Sequence, residues 1–150
     1  MNIFQRLDEI FARPDPWQPA LDSVVQFVNA DSGTIHLMEA DGALHLRAAT
    51  AGIPEHVLNI VRTVPVGKGM AGLAADRRHP VTVCNIQTDT SGDVRPGAKA
   101  TGLEGAIALP MFRGDQVAGV LGVANRRERI FTGAETEILL EIGRSLAARA

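Results

Sequence analysis

Apolar residues recur at helical spacing near both ends of the chain. Between residues 2 and 12 they fall three or four positions apart, which predicts an amphipathic helix. Asp15 before Pro16 resembles an N-cap followed by a first-turn proline, so a second helix is expected over about residues 16–29. Thr132 and Glu135 form a T-x-x-E capping box, which predicts a terminal helix over about residues 133–148.

Alternating apolar and polar residues mark strands in the middle of the chain. Residues 34–38 and 43–50 alternate on either side of Asp41-Gly42, a strong hairpin signal. Residues 105–112 and 116–125 form a second pair of the same kind. Both pairs are joined by short turns, so the strands within each pair are expected to be antiparallel.

The remaining segments complete the fold prediction. Residues 81–85 read as a further strand, and short helices are expected over about residues 54–62 and directly after the glycines of 67–72. The segment 86–102 is polar and rich in Gly and Pro, and a loop of this length in a small domain is usually functional or disordered. The order of elements predicts an α+β fold with a mainly antiparallel sheet.

Three glycines, Gly67, Gly69 and Gly72, form a G-x-G-x-x-G pattern that also occurs in dinucleotide-binding folds. Those folds need a buried strand before the glycines and a long helix after them. Here Pro65 stands in the place of the strand and Pro80 ends the helix early. The pattern therefore indicates a mechanical role, in which the glycines permit unusual backbone angles and a close approach of the short helix to the sheet.

Composition limits the possible functions. The chain has 150 residues, enough for one domain, and its 45% hydrophobic and 21% charged residues are typical of globular proteins. The formal net charge of −2 gives no broad basic surface, so no nucleic-acid partner is expected. Cys84 is the one cysteine, which excludes an internal disulfide and fits a reducing compartment. No signal peptide or membrane span is visible, so we expect a cytoplasmic protein without a membrane partner.

Two separate motifs resemble those of GAF domains. The glycine turn, short helix and following strand of that family are similar to residues 64–86, VPVGKGMAGLAADRRHPVTVCNI. The second motif resembles the family's N-K…F-x-x-x-D-E pattern, with Arg in place of Lys and Thr136 in place of the final Glu. Its matching residues are Asn125, Arg126, Phe131 and Glu135. The resemblance covers roughly residues 15–149.

The resemblance implies a sensory module with a central antiparallel sheet of about five to six strands. The N- and C-terminal helices would cover one face, and the short helices with the long loop would enclose a small-molecule pocket on the other. It divides the chain into an N-terminal helix, residues 1–14, that makes a dimer contact and a GAF-like domain, residues 15–150. A homodimer is expected, with a regulatory protein as a further partner, and Arg126 is expected to pair with Glu135.

The family layout also names the residues around the pocket. Strand alternation would place His45 and Arg47 on the same face as His36, with Leu44 and Leu46 facing the terminal helices. The expected ligand-binding residues are Thr34, His36, His45, Arg47, Met70, Ala71, Asn85, Asp89, Arg95, Lys99 and Thr101. Their basic members would form a cationic pocket suited to a small anionic ligand. Some GAF domains bind cyclic nucleotides, but Gly122 stands where such members can carry an acidic residue, which disfavours that ligand.

Three functions remain open on this basis. The first is a cytoplasmic sensor that relays ligand occupancy through its terminal helices. The second is a ligand-free dimerisation or protein-docking module, whose pocket would be filled by His36, Met70 and neighbouring side chains.

The third is a thiol-dependent enzyme, because one GAF-like branch reduces free methionine sulfoxide with several cysteines. Cys84 is alone, and its neighbours Val81 and Val83 favour a buried, inert thiol, so no enzymatic activity is expected. No cofactor or metal is expected either, since His36 and His45 lack further ligands at suitable spacing.

Overall fold

The computed structural model describes the backbone of residues 1–150 and every side chain except that of Pro96. The helices are α1 (Ile3–Phe11), α2 (Trp17–Phe27), α3 (Glu55–Val61), α4 (Gly69–Arg77) and α5 (Gly133–Ala147), with a 3-10 helix at Pro96–Thr101. The strands are β1 (Ser32–Met38), β2 (Leu44–Ala49), β3 (Thr63–Val64), β4 (Val81–Val83), β5 (Ala106–Arg113) and β6 (Gln116–Ala124). Neighbouring strands are antiparallel in the order β3-β2-β1-β6-β5-β4, which confirms the predicted α+β fold.

One face of the sheet is covered by α1, α2 and α5. Their apolar side chains merge with those of β1, β5 and β6 in one buried cluster, in which Leu7, Leu21 and Leu139 are fully buried. Burying each such side chain contributes about 1.5–3 kcal/mol relative to leaving it exposed. Ile3 and Ile10 lie in the same cluster, so this part of the expected dimer surface packs against the chain's own core. No helix in the described part of the chain is long and apolar enough to cross a lipid bilayer.

The first turns of these helices differ in how they are capped. Thr132 and Glu135 form the predicted capping box at α5, with backbone nitrogen to side-chain oxygen distances of 2.9 and 3.1 Å. At α2, however, the N-cap is Pro16, and no side chain caps the helix. The cap predicted at Asp15 was wrong, because α2 begins one residue later than expected and Asp15 adopts a left-handed φ of 52° in place of the extended backbone of an N-cap. Trp17, buried against Phe11 with ring centroids 5.0 Å apart, anchors this end of α2 instead.

The glycine turn brings the start of α4 against the backbone that precedes it. Gly67 and Gly69 have φ angles of 92° and 65°, which favour glycine. The N–H of Gly67 donates to the carbonyl oxygen of Gly72 at 2.8 Å. A Cβ atom on Gly72 would lie 2.4 Å from the carbonyl oxygen of Pro65, so only glycine fits there without a backbone shift.

A β-bulge in β2 changes which side chains face each side of the sheet. Ile35 pairs with Ala48, whereas His36 pairs with Leu46, so Arg47 is an extra residue between two regular pairs. Directly opposite residues of antiparallel strands place their side chains on the same face. Leu46 therefore lies on the face of His36.

The predicted faces of β2 were wrong for this reason. Leu44 packs with Val64 and Ala74 on the face opposite the helix layer. Arg47 lies over the ring of Trp17, with 5.9 Å from its guanidinium carbon to the ring centroid, on the helix side. The sequence alternates regularly here, so the extra residue could not be read from the pattern.

Candidate functional site

A cavity of about 540 Å³ lies on the sheet face opposite the helix layer, within the size range of small-molecule sites. Its floor is formed by Ser32, Gly33, Thr34, His36, Ala106, Ile107, Ala108, Gly122, Val123 and Ala124. Its walls are formed by Ile53, Val57, Ile60, Val61, Val64, Lys68, Gly69, Met70, Ala71, Ile86, Val94, Arg95, Gly97, Ala98, Thr101 and Leu103. The cavity therefore lies between the sheet, α3, the start of α4 and the 3-10 helix.

Small floor residues create the depth of this cavity. Ala106, Ala108, Gly122 and Ala124 on β5 and β6 carry at most a Cβ atom towards it. The walls are mainly aliphatic, and no acidic residue is found among the lining residues. The interior is suited to an apolar group, and its polar contacts come from a few individual side chains.

His36 is a buried polar group of the floor, with 3% of its surface exposed. Its Nε2 lies 2.8 Å from the carbonyl oxygen of Val61. Because a carbonyl can only accept, Nε2 carries the proton and Nδ1 holds a lone pair. Nδ1 has no hydrogen-bond partner among the described residues.

The protonation of His36 follows from its surroundings. Burial away from water lowers the pKa of the imidazole, the hydrogen bond to Val61 opposes this shift, and the charge of nearby His45 adds to it. The ring is therefore neutral near pH 7. The floor of the cavity thus carries no positive charge at this position.

Positive charge is found at the mouth of the cavity. Lys68 and Arg95 line it with exposed side chains, and neither forms a salt bridge to a described carboxylate. The N-terminus of α4 lies next to them, and helix N-termini carry a partial positive charge. The mouth can therefore accept an anionic group.

The loop over the cavity is held by one contact with α4 and by bonds within the loop itself. Arg77 of α4 donates to both carboxylate oxygens of Asp93, at 3.1 and 3.2 Å. The side-chain amide of Gln87 donates to the carbonyl oxygens of Lys99 and Leu103 at 3.1 and 2.8 Å. The pair of Arg77 and Asp93 joins the loop to α4, and the bonds of Gln87 connect the two ends of the loop.

The structure brings part of the predicted ligand-binding set together at the cavity and places the rest elsewhere. The residues that line the cavity are Thr34, His36, Met70, Ala71, Arg95 and Thr101. The residues that do not line it are His45, Arg47, Asn85, Asp89 and Lys99. The ligand contacts of the first group stay a prediction.

Local contacts or exposure explain why three residues of the second group lie outside the cavity. The bulge turns His45 away, and its Nε2 lies 2.7 Å from the carboxylate of Asp41. Asp89 accepts from the hydroxyl of Ser91 at 2.6 Å within an exposed turn. The side chain of Lys99 is exposed on the 3-10 helix.

Asn85 is buried, but it lies in a polar cluster outside the cavity. Its side-chain nitrogen donates to Glu104 at 3.2 Å and to Glu128 at 3.0 Å, and its oxygen accepts from the backbone N–H of Gln87. Its role in the fold is to join three segments of the chain.

Sequence reasoning missed the contribution of α3 and Lys68. Val57, Ile60 and Val61 fall three or four positions apart, which is a helical apolar stripe, and they form one wall of the cavity. Lys68 was visible within the glycine motif. Its place at a helix N-terminus was the signal that could have marked it as an anion contact.

The second motif is organised around Arg129. Its guanidinium donates to the side-chain oxygen of Asn125 and to the carbonyl oxygen of Val28, both at 2.8 Å. It forms a salt bridge with Glu135 and lies 4.3 Å from the ring centroid of Phe131. The pKa of Glu135 is lowered mainly by the hydrogen bond from the backbone of Thr132 and to a smaller extent by the one from Arg129.

The predicted pairing of Arg126 with Glu135 was therefore wrong. The backbone N–H of Arg126 donates to Asp31 at 2.8 Å, and its side chain extends towards Gly52. The chain leaves β6 in an irregular turn, and the backbone N–H of Arg129 donates to the carbonyl oxygen of Cys84 at 3.2 Å, which brings Arg129 inward.

Cys84 is exposed, so the buried thiol predicted from its apolar neighbours was also wrong. Burial alternates along this edge of the sheet: Val81 and Val83 are buried, and Thr82 and Cys84 face outward. Cys84 does not line the cavity.

Comparisons with known proteins agree on the fold. A family profile described as GAF domain matches residues 18–148. No sequence relative was detected among curated proteins. The GAF domain of an Acinetobacter phosphoenolpyruvate-protein phosphotransferase is 20% identical, with 97% of this chain and 89% of that chain covered and a TM-score of 0.78.

Two further structures have similar values. The GAF domain of a phosphoenolpyruvate-protein phosphotransferase from Coxiella burnetii is 18% identical, with the same coverage and a TM-score of 0.79. A free methionine-R-sulfoxide reductase from Neisseria meningitidis, in complex with its substrate, is 16% identical, with 98% of this chain and 85% of that chain covered and a TM-score of 0.77. At such identities the likeness concerns the fold. The profile match over nearly the whole length, together with this shared architecture, shows that the chain belongs to the GAF domain family.

Proposed function

We propose that this GAF domain is a sensor that binds a small molecule in the 540 Å³ cavity and passes its occupancy to the helices on the other face of the sheet. GAF domains are generally sensory or regulatory modules. The observation that carries the proposal is the cavity itself, which combines an apolar interior with a cationic mouth. A cytoplasmic location is part of the proposal, supported by the free, exposed thiol of Cys84.

The sheet is the route by which occupancy would reach the helices. Ile107 and Val123 line the cavity and also belong to the buried cluster that contains α5. On α5, Gly143 lies close to Met111 of β5, since a Cβ there would be 3.3 Å from the Met111 Cγ. A shift of β5 or β6 on binding would therefore move side chains that α5 packs against.

The cavity supports the sensor over a ligand-free docking module. In that alternative, His36 and Met70 would fill the pocket. They line a space of about 540 Å³ instead, large enough for a metabolite.

Binding can be tested with a matched pair of variants on the 3-10 helix. Ala98 lines the cavity and Ala100 is exposed outside it. We expect Ala98→Phe to fill the cavity and abolish both the fluorescence of anilinonaphthalene sulfonate and any ligand-induced rise in Tm, whereas Ala100→Phe should keep both. The panel for wild-type protein contains nucleotides, nitrate, formate, 2-oxo acids, amino acids and aliphatic carboxylates. If no compound raises Tm and both variants bind the dye like wild type, ligand binding in the cavity is refuted.

Hydrogen exchange tests the relay. A ligand found in the panel should change protection in α5 as well as around the cavity. A change confined to α3, α4 and the 86–103 loop would contradict relay through the sheet. Sedimentation at micromolar concentration tests the homodimer, which is also part of this proposal. A chain that sediments as a monomer would exclude it.

We also propose that the ligand is bound without being chemically changed. Cys84, the single thiol, lies outside the cavity lining, and exchange chemistry with a ligand needs a thiolate that reaches it. Reduction of free methionine sulfoxide by wild-type protein, lost in Cys84→Ser, would overturn this proposal.

A further inference from the structure

We propose that the ligand of the cavity is an aliphatic carboxylate, with its anionic end held at the start of α4 and its chain in the cavity. This inference rests on the function proposed above, since it names the chemical class of the sensed molecule. Three features of the described residues support it: unpaired backbone donors, unpaired cations and an almost entirely apolar interior.

The backbone donors lie in the first turn of α4. The first intrahelical bond there runs from the N–H of Gly72 to the carbonyl oxygen of Lys68 at 3.1 Å. The N–H groups of Gly69, Met70 and Ala71 have no acceptor among the described residues, and all three residues line the cavity. Helix N–H groups point towards the N-terminus, so these donors are directed at the same end of the cavity. No acidic side chain occupies this first turn to satisfy them.

Lys68 and Arg95 bring formal charge to the same place. Lys68 is the N-cap residue of α4. The aliphatic part of Arg95 lies directly against Gly69, since a Cβ there would be 2.9 Å from the Arg95 Cδ. An anion at this position would meet backbone N–H groups and two cations together, and charge-assisted hydrogen bonds are about twice as strong as neutral ones.

The interior favours an aliphatic group for the rest of the ligand, because Thr34 alone among the described lining residues has a hydroxyl without a partner. The hydroxyl of Ser32 is already bonded to that of Thr50 at 2.9 Å, and the hydroxyl of Thr101 donates to Ala98 at 2.7 Å. A nucleobase brings several donors and acceptors on one edge, and burying them unpaired here would be costly. An aliphatic chain has no such groups and contacts the walls of α3 and the floor of the sheet.

His36 adds neither a charge nor an open polar contact to this interior. It lines the cavity, but its Nε2 is bonded to the carbonyl oxygen of Val61 at 2.8 Å and its Nδ1 is itself buried, with no partner among the described residues. A ligand in the cavity therefore meets no accessible polar atom of this ring.

Calorimetric titration of the wild-type chain with eight-carbon compounds tests the class directly. Octanoate, 1-octanol and octylamine share one chain and differ in the charge of the end group. We expect octanoate to bind about tenfold or more tightly than octanol, and octylamine to bind least. Equal affinities for the three end groups would overturn the proposal.

Two double variants locate the anionic end. Lys68→Gln with Arg95→Gln should lower octanoate affinity about tenfold and leave octanol unchanged. Arg6→Gln with Arg13→Gln removes the same charge from exposed positions near the N-terminus and should change neither. If both double variants weaken octanoate equally, the charge acts at long range and the assigned position is wrong.

The outcomes also separate this inference from the proposed function. In one outcome, no eight-carbon compound binds, but another compound of the panel raises Tm in wild type and not in Ala98→Phe. That result overturns the proposal of an aliphatic carboxylate and leaves the proposed sensor function standing. Failure of all compounds and of the dye overturns both.

Discussion

Replacing Gly72 with alanine tests whether close backbone packing sets the glycine turn. The added Cβ would lie 2.4 Å from the carbonyl oxygen of Pro65 and 3.1 Å from the nitrogen of Gly67, and Cβ contacts under 3.0 Å are essentially never seen. Both neighbours are backbone atoms, so no side-chain rotation relieves the overlap. Such overpacking costs about 1–3 kcal/mol, and the upper end applies because the chain itself must move. Alanine recovers about 1 kcal/mol of helix propensity, which leaves a net loss of about 2 kcal/mol.

Urea denaturation followed by the fluorescence of Trp17, the single tryptophan, measures this loss. The expected change corresponds to a fall in Tm of about 4–8 °C for a chain of this length. Gly133→Ala is the matched control, because it lies in the first turn of α5 and no heavy atom is found within 4 Å of its Cβ position. It should leave stability unchanged or raise it by about 0.5–1 kcal/mol. A Gly72→Ala variant as stable as wild type would refute the packing argument.

Three further predictions concern the ion pair, the helix cap and the buried imidazole. Arg129→Ala should lower the free energy of unfolding by about 2–3 kcal/mol, because Glu135 and buried acceptors lose their donor. The control Arg126→Ala should change it by less than about 0.5 kcal/mol. Equal losses of stability in urea denaturation would contradict the assigned pair. Thr132→Ala should cost about 1 kcal/mol through loss of the cap, and a neutral result would contradict the capping box. Because the pKa of His36 is lowered in the folded state, the unfolded chain takes up this proton first as pH falls from about 7.5 to about 5.5, so stability should decrease over that range. His36→Gln should weaken this pH dependence, and an unchanged profile would count against a buried neutral imidazole.

Strong local signals in the sequence predicted most of the fold. Helical spacing located the terminal helices, and the turn at Asp41-Gly42 located the first hairpin, which the structure contains as β1 and β2. The T-x-x-E pattern gave the start of α5 because both capping bonds are local. Such features depend on residues a few positions apart, so a single sequence is enough to find them.

Features that depend on distant parts of the chain were missed. Whether Arg126 or Arg129 reaches Glu135 is decided by the turn after β6 and by a bond to Cys84, more than forty positions earlier. The outward direction of Cys84 depends on the register of β4 against β5, which its apolar neighbours do not reveal. The walls of the cavity likewise come from segments that meet only in the folded chain.

The position of the extra residue in β2 decides which side chains lie on the sheet face of the cavity. If the strands paired regularly and the extra residue lay in the turn between β1 and β2, the imidazole of His45 and the guanidinium of Arg47 would lie on that face and two leucines would face the helices. Deleting Arg47 would instead leave every other pairing of β1 with β2 intact and keep the leucines on their present face. The same residues can thus give an apolar or a basic surface beside the cavity, according to whether one residue is accommodated in the strand or in the turn.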